Sequence, residues 1–169
     1  CTQGNTLLDA LHYVERDFRE GTRSALKPEG AYVVANILRF ENLGSAARWE
    51  QFLDVLGTGK TLLQSTYERF LPICQKENIF VVTSQEHRQI TQQQLADLSP
   101  DQILAEPMRK NTAACIAYAS HKIAKRNNEA VIVVSPTDHL ILSEAEFQQT
   151  ITKADEFAKA QDKLITLGI

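Results

Sequence analysis

Methionine and tryptophan occur once each in these 169 residues, and cysteine three times. Cys1, Cys74 and Cys115 are an odd number and form no CxxC pair, so a disulfide framework is not indicated. Cys74 and Cys115 lie among apolar neighbours on predicted helices, where buried reduced thiols are the expectation. An excess of positive charge is also missing. The net charge of −3 gives no basic face for a nucleic-acid partner. Any anionic ligand must then be held by local positive charge, backbone N–H groups or a metal. No apolar run approaches the roughly 18–20 residues of a membrane span. The N-terminal stretch is polar and passes at once into an amphipathic pattern, which is unlike a signal peptide. A cytoplasmic protein is the expectation.

Clustered metal-ligand residues are missing too. His12, His87 and His121 fall on predicted helices without ligand-type partners at i, i+4, and His139 simply follows Asp138. Glycine is sparse, with seven in the chain. Gly57-Thr58-Gly59-Lys60-Thr61 imitates a P-loop, but G-x-x-x-x-G-K-[ST] needs a glycine where Asp54 stands. The alternative, a glycine turn ahead of a helix, needs nothing more.

What is present is an ordinary globular composition, 43% hydrophobic and 23% charged, long enough for one domain with a sizeable core. From residue 60 onward helices and strands alternate. Residues 60–77 carry Leu62, Leu63, Thr66, Phe70, Leu71 and Cys74 as a helical stripe. Residues 79–83 are a β-branched run. Residues 87–98 place Ile90, Gln94, Leu95 and Leu98 at helical spacing, and 102–105 is a second short strand. Residues 111–126 form a helix with Ile116, Ala117, Ser120, Ile123 and Ala124 on one face, and 131–134 is the next strand. Ser143 and Glu146 make a capping box for a helix with Phe147, Ile151, Ala154 and Ala158 along one side. Residues 164–167 read as a last strand. Short apolar strands separated by helices of about 12–18 residues predict an α/β fold with a parallel sheet covered on both faces. Ahead of this, 5–20 reads as an amphipathic helix capped by Asn5 and stopped by Gly21. Residues 21–30 read as a loop and 31–38 as a strand, while 39–50 has no clean period.

Two segments sit where chemistry is expected. In an open α/β sheet, ligands bind outside the carboxyl ends of the strands. One predicted strand runs into Pro136-Thr137-Asp138-His139. A carboxylate there is placed to hold a divalent cation against phosphate oxygens, since Mg²⁺ takes hard oxygen ligands and keeps several waters. Asp after a strand also serves as a plain turn residue or cap. The other strand runs into Glu106-Pro107-Met108-Arg109-Lys110-Asn111-Thr112-Ala113. Exposed N–H groups at a helix start suit an anion or a polar base edge. Glu106 can accept hydrogen bonds from a purine, and Arg109 and Lys110 can meet phosphate. Asn and Thr are also common caps. The reading places both loops at the tips of neighbouring strands, over one crevice.

Taken together, these segments resemble mannose-1-phosphate guanylyltransferases. The resemblance includes Gln51-Phe52-Leu53-Asp54, then Gly57 with Leu62-Leu63-Gln64-Ser65-Thr66-Tyr67-Glu68-Arg69. It continues through Val81-Val82-Thr83-Ser84, His87-Arg88, Glu106-Pro107, Asn111-Thr112-Ala113 and Pro136-Thr137-Asp138-His139 to Thr166-Leu167-Gly168-Ile169. The resemblance implies a doubly wound, mostly parallel sheet of the nucleotide-diphospho-sugar transferase type, present here in part. Residues 31–169 would be the nucleotide-binding half, and 1–30 an additional helix and loop. It further implies transfer from GTP to mannose 1-phosphate, giving GDP-mannose and pyrophosphate. Asp138 would be the catalytic carboxylate holding Mg²⁺. Glu106, Pro107, Arg109, Asn111, Thr112 and Ala113 would line the nucleotide, and a homodimer is implied.

The sequence departs from that pattern in one region. The family's glycine-rich loop after its first strand is replaced by Ala35-Asn36-Ile37-Leu38-Arg39-Phe40. Glu50 stands where a phosphate-binding lysine is expected, and a carboxylate there repels phosphate. A nucleotide or nucleotide-sugar binding module without turnover is therefore the alternative reading.

Overall fold

A computed structural model describes residues 32–36, 54, 56–106, 111–137, 139–161 and 163–167. The expected helix over 5–20 and the loop over 21–30 lie outside these, as do 39–50.

Four parallel strands form one sheet. They are β1 (Tyr32–Asn36), β2 (Ile79–Ser84), β3 (Ile103–Glu106) and β4 (Ile132–Pro136), in the order β3-β2-β1-β4. The helices are α1 (Leu62–Phe70), α2 (Arg88–Gln94), α3 (Asn111–Ala124) and α4 (Glu144–Gln161). β2 explains why the sheet needs cover on both sides. All six of its residues are buried, and successive side chains point to opposite faces. Ile79 and Val81 pack with Leu63, Phe70, Leu95 and Ile151. Phe80 and Val82 pack with Leu104, Cys115, Ala119 and Ile123. Helices α1, α2 and α4 thus close one face and α3 closes the other, the doubly wound arrangement the sequence predicts.

The chain's local chemistry sets the element ends. Thr61 caps α1 with a full capping box: its hydroxyl accepts from the Gln64 N–H, and the Gln64 side chain accepts from the Thr61 N–H. The helix ends at Phe70 because Pro72 has no N–H to continue the ladder. Cys74 therefore follows the helix, in a turn, yet remains in the core. Likewise α2 stops at Gln94, while Leu95 and Leu98 stay buried in the turn beyond it. On α3 the buried line is Cys115, Ala119 and Ile123. The expected stripe through Ile116 and Ser120 is instead half-buried, so the helix is rotated by about one residue from its sequence reading. The expected terminal strand is not formed among the described residues. Residues 163–167 carry no strand assignment, although Leu167 packs against the core. An apolar run becomes a strand only where another strand pairs with it.

Order along the sheet matters more than any single element. β1 pairs with β2 on one side and with β4 on the other. The winding direction therefore reverses at β1. In open α/β sheets such a reversal opens a crevice at the carboxyl edge.

Candidate functional site

The carboxyl edge is defined by its register. Asn36 at the end of β1 pairs with Pro136 on one side and with Val82 on the other. Ser84 at the end of β2 pairs with Glu106 at the end of β3. Thus β2 runs two residues, about 7 Å, beyond Asn36, and β3 reaches the same height. The two loops singled out in the sequence both leave from this edge. They do not, however, leave from neighbouring strands. β3 and β4 are the outer strands, with β2 and β1 between them. Three strand spacings separate their tips, about 14 Å. A ligand touching both must lie across the end of β1.

Glu106 is the best-defined polar group at this edge. It is 5% exposed, and its Oε2 has no hydrogen-bond partner among the described residues. Burial pushes its carboxyl up to about 7. An acid in that setting changes charge near neutral pH. When ionised it offers an unused acceptor to a ligand N–H, and when protonated it offers a donor. Its register partner Ser84 is also buried, and the Ser84 hydroxyl lies 3.2 Å from His87 Nδ1. Thr83 is fully buried, with an unpartnered hydroxyl. Ser84 and His87 belong to this edge and fall within the family resemblance, but the residue pattern alone gives them no site role, because a Ser at a strand end and a His three residues on read as turn residues.

The remaining predicted residues divide. Asn111 opens α3, Thr112 is exposed and Ala113 is half-buried, so this helix start faces the same edge as Glu106. Pro107, Arg109 and Lys110 lie outside the described residues, and so does Asp138. The residues flanking Asp138 are described. Thr137 is buried and His139 half-buried, directly beyond the end of β4. Among the described residues no group of three or more His, Cys, Asp or Glu is gathered as a metal cage.

The P-loop lookalike has a different role. Gly57 and Gly59 adopt positive φ, 66° and 79°, which glycine permits. The resulting turn brings the Thr58 and Gly59 N–H groups onto the Asp54 carboxylate, at 2.8 and 2.6 Å. The donors that a P-loop would give to phosphate are spent on the loop's own acid. Lys60 pairs with Glu68 on the surface.

A cavity of about 700 Å³ runs beside the outer edge of β4. Its wall is largely apolar, with Val133, Ile151 and Leu167 among its residues, together with Arg69. It is not the crevice over Glu106. No described helix is long and apolar enough to cross a membrane.

Comparison with known proteins bears on this edge. A family described as nucleotidyl transferase matches residues 45–169. The xanthan biosynthesis protein XanB of Xanthomonas campestris pv. campestris (strain B100) is 38% identical over 122 residues, covering 71% of this chain and 26% of the relative. A mannose-1-phosphate guanylyltransferase of Salmonella montevideo is 37% identical, with 71% and 25% covered. The alginate biosynthesis protein AlgA of Pseudomonas aeruginosa is 33% identical, with the same coverage. The chain spans about a quarter of the length of these curated relatives. A crystal structure described as mannose-1-phosphate geranyltransferase from Thermus thermophilus shares the fold, with a TM-score of 0.60 at 21% identity, over 77% of this chain and 38% of that one.

Proposed function

Since this chain belongs to the nucleotidyl transferase family, with a match over residues 45–169, we propose that its carboxyl edge binds GTP for transfer to mannose 1-phosphate, giving GDP-mannose and pyrophosphate. The observation that carries the reading is Glu106. It is a buried carboxyl with an unpartnered oxygen, at the end of β3, within the matched segment. An acceptor of that kind suits the paired N–H donors on the edge of a guanine. The start of α3 beside it, at Asn111, Thr112 and Ala113, suits the sugar and phosphates, and Pro107 and Arg109 complete that loop. The tip of β4, about 14 Å away across the sheet, falls at the phosphate end of a nucleotide laid over β1.

In this reading the sugar phosphate oxygen attacks the α-phosphorus in line. The bond from that phosphorus to the bridging oxygen breaks, and pyrophosphate leaves with the electron pair. Such a transfer is driven by positioning and charge neutralisation. Mg²⁺ can be held by a single protein carboxylate, because it keeps several waters and takes other oxygens from substrate phosphates. Asp138 is the residue that would hold it. When bound, the ion neutralises charge at the α-phosphate. In this reading Glu106 holds the base at one end of the nucleotide, and Asp138 would hold the ion at the other.

A second reading is favoured by one sequence observation: Glu50 stands where a phosphate-binding lysine is expected, and no glycine-rich loop follows β1. It makes the chain a nucleotide-sugar binding module. A pyrophosphate-release assay with GTP, mannose 1-phosphate and Mg²⁺ separates the two. Turnover supports transfer, and replacing either substrate by ATP or glucose 1-phosphate tests the specificity. Saturable binding of GDP-mannose without turnover supports the module. Neither binding nor turnover overturns both.

A further inference from the structure

The carboxyl edge leaves the opposite flank of the sheet unused. On the outer side of β3 a second cavity, of about 290 Å³, opens against the later part of α3 and the turn that leads into β3. Its wall carries three cations, Arg88, Lys122 and Arg126, and one acid, Asp101. In a chain of net charge −3, this is a local reversal of sign.

All three cations are exposed, and each makes one contact with a neighbouring group. The Arg126 guanidinium lies 4.9 Å from the Phe80 ring centroid, and the Lys122 ammonium 5.7 Å from that of Tyr118. Arg88 donates from Nη2 to the Pro100 carbonyl at 3.4 Å. None of the three forms a salt bridge with a described residue. A cation over a ring face is attracted electrostatically, and neither Lys122 nor Arg126 has an oxygen partner among the described residues. β3 contributes as well. It is an outer strand, so alternate backbone N–H groups along it point away from β2 with no strand partner among the described residues. Three side chains from two helices and a turn therefore converge with unspent donors on one small concavity.

The Lys122 end of the pocket is set back from the carboxyl edge, whereas Arg88 follows directly on His87 at that edge. Tyr118, Lys122 and Arg126 follow one another at intervals of four, down one side of α3 and into the turn after it. At 1.5 Å per residue, Lys122 sits about 16 Å along the axis from Asn111.

We propose that this pocket is a second anion site, for the phosphate group of a small phosphate monoester, with Arg88, Lys122 and Arg126 as its donors and Tyr118 as a wall for the ester's carbon portion. The volume lies at the lower end of ligand pockets, which suits a phosphate carrying a few carbons. Three cations against one acid leave a surplus of two, which matches a dianion better than a single carboxylate. The tetrahedral oxygens also reach donors converging from three directions.

Backbone amide NMR at constant ionic strength tests this, with inorganic phosphate as the probe and acetate as the control. The expected result is saturable shifts at Ala105, Tyr118, Lys122 and Arg126 with phosphate, at millimolar affinity, and none of comparable size with acetate. The double substitution K122Q/R126Q should weaken phosphate binding at this site at least tenfold. Shifts that fail to saturate, that acetate reproduces, or that persist with unchanged affinity in the double variant overturn the proposal. Circular dichroism checks the variant's fold. If the double variant does not fold, R88Q, altered on the far wall, should weaken binding at least threefold, and unchanged affinity overturns the proposal. GTP added to the phosphate-loaded protein should still shift Glu106 and Thr112. Loss of that response only in the presence of phosphate means the two sites overlap and overturns the proposal, whereas its absence without phosphate as well bears on the nucleotide reading alone.

Discussion

Glu106 at the end of β3 acts on Cys115, which lies in the second turn of α3. The thiol is fully buried, and burial together with the neighbouring Glu106 charge pushes it up to about 12. The carboxyl in turn is pushed up to about 7 by its own desolvation. Two ionisable groups share one dry corner beside the candidate site, and each is held away from its charged form.

The first consequence concerns pH and stability. An unfolded Glu ionises near 4.5, the folded Glu106 near 7. Between these values the folded chain holds more protons at this position than the unfolded one, so stability from this group falls as pH rises. The loss is complete above pH 7 and amounts to roughly 3 kcal/mol at most. Thermal melts of wild type and Glu106→Gln at pH 5 and pH 8 check it. The substitution should stabilise the protein at pH 8 relative to wild type and should remove much of the pH dependence in this window.

The second concerns Cys115 itself. A thiol at about 12 is protonated at pH 8 and hidden from solvent, so it is a poor nucleophile. Cys74 is buried too. Site-resolved mass spectrometry after iodoacetamide should find both essentially unmodified in the native protein and both modified in urea. Rapid native modification of Cys115 would contradict the packing of α3 against β2.

Much of this architecture is legible in the sequence, for a simple reason. Ile79-Phe80-Val81-Val82 is apolar on every residue, and only a strand covered on both faces satisfies that. The core residues are legible more fully than the helix ends. The spacing of Leu95, Leu98 and Cys74 predicts helix, and all three are buried, but the backbone has already turned where they stand. Apolar spacing reports where a side chain goes, whereas a helix stops where a proline or a turn removes its next hydrogen bond. Residues 164–167 show the opposite limit, since strand character depends on a partner that spacing cannot supply.

Glu106 and the start of α3 are legible as features of the carboxyl edge, but the layout of that edge is not. Glu106 stands out at a strand end, yet its burial follows from α3 packing over it. Strand order cannot be read from local pattern, so the sequence suggests neighbouring loops, whereas β2 and β1 separate them. The turn around Gly57 and Gly59 is structural, as the missing first glycine of a P-loop implies. That the carboxylate of Asp54 occupies it follows from geometry alone.

A third prediction tests the core on the α1 and α4 face of the sheet. Phe70 is fully buried and meets Phe147 edge-on, with centroids 5.7 Å apart. Phe70→Ala should cost about 3–5 kcal/mol, as large-to-small changes of buried aromatics do. Urea unfolding measures this, and a loss below about 1 kcal/mol would contradict the packing of α1 and α4 on the sheet.

A fourth prediction isolates the metal. If Asp138 holds Mg²⁺ beside the nucleotide, GTP should raise the melting temperature further with Mg²⁺ than without it. Asp138→Asn should remove that Mg²⁺-dependent increment and leave the metal-free shift. An undiminished increment in the variant assigns the metal elsewhere.

The proposed function turns on Glu106 reading a purine base at the carboxyl edge. Isothermal titration calorimetry of GTP with Mg²⁺ at pH 8, on wild type and Glu106→Gln, tests it most directly. A hydrogen bond to a charged acceptor contributes about 1.5–3 kcal/mol. The account therefore predicts saturable binding to wild type and at least tenfold weaker binding to a variant that melts no lower. Equal affinity in the two proteins, or no binding to folded wild type at millimolar GTP, would contradict it.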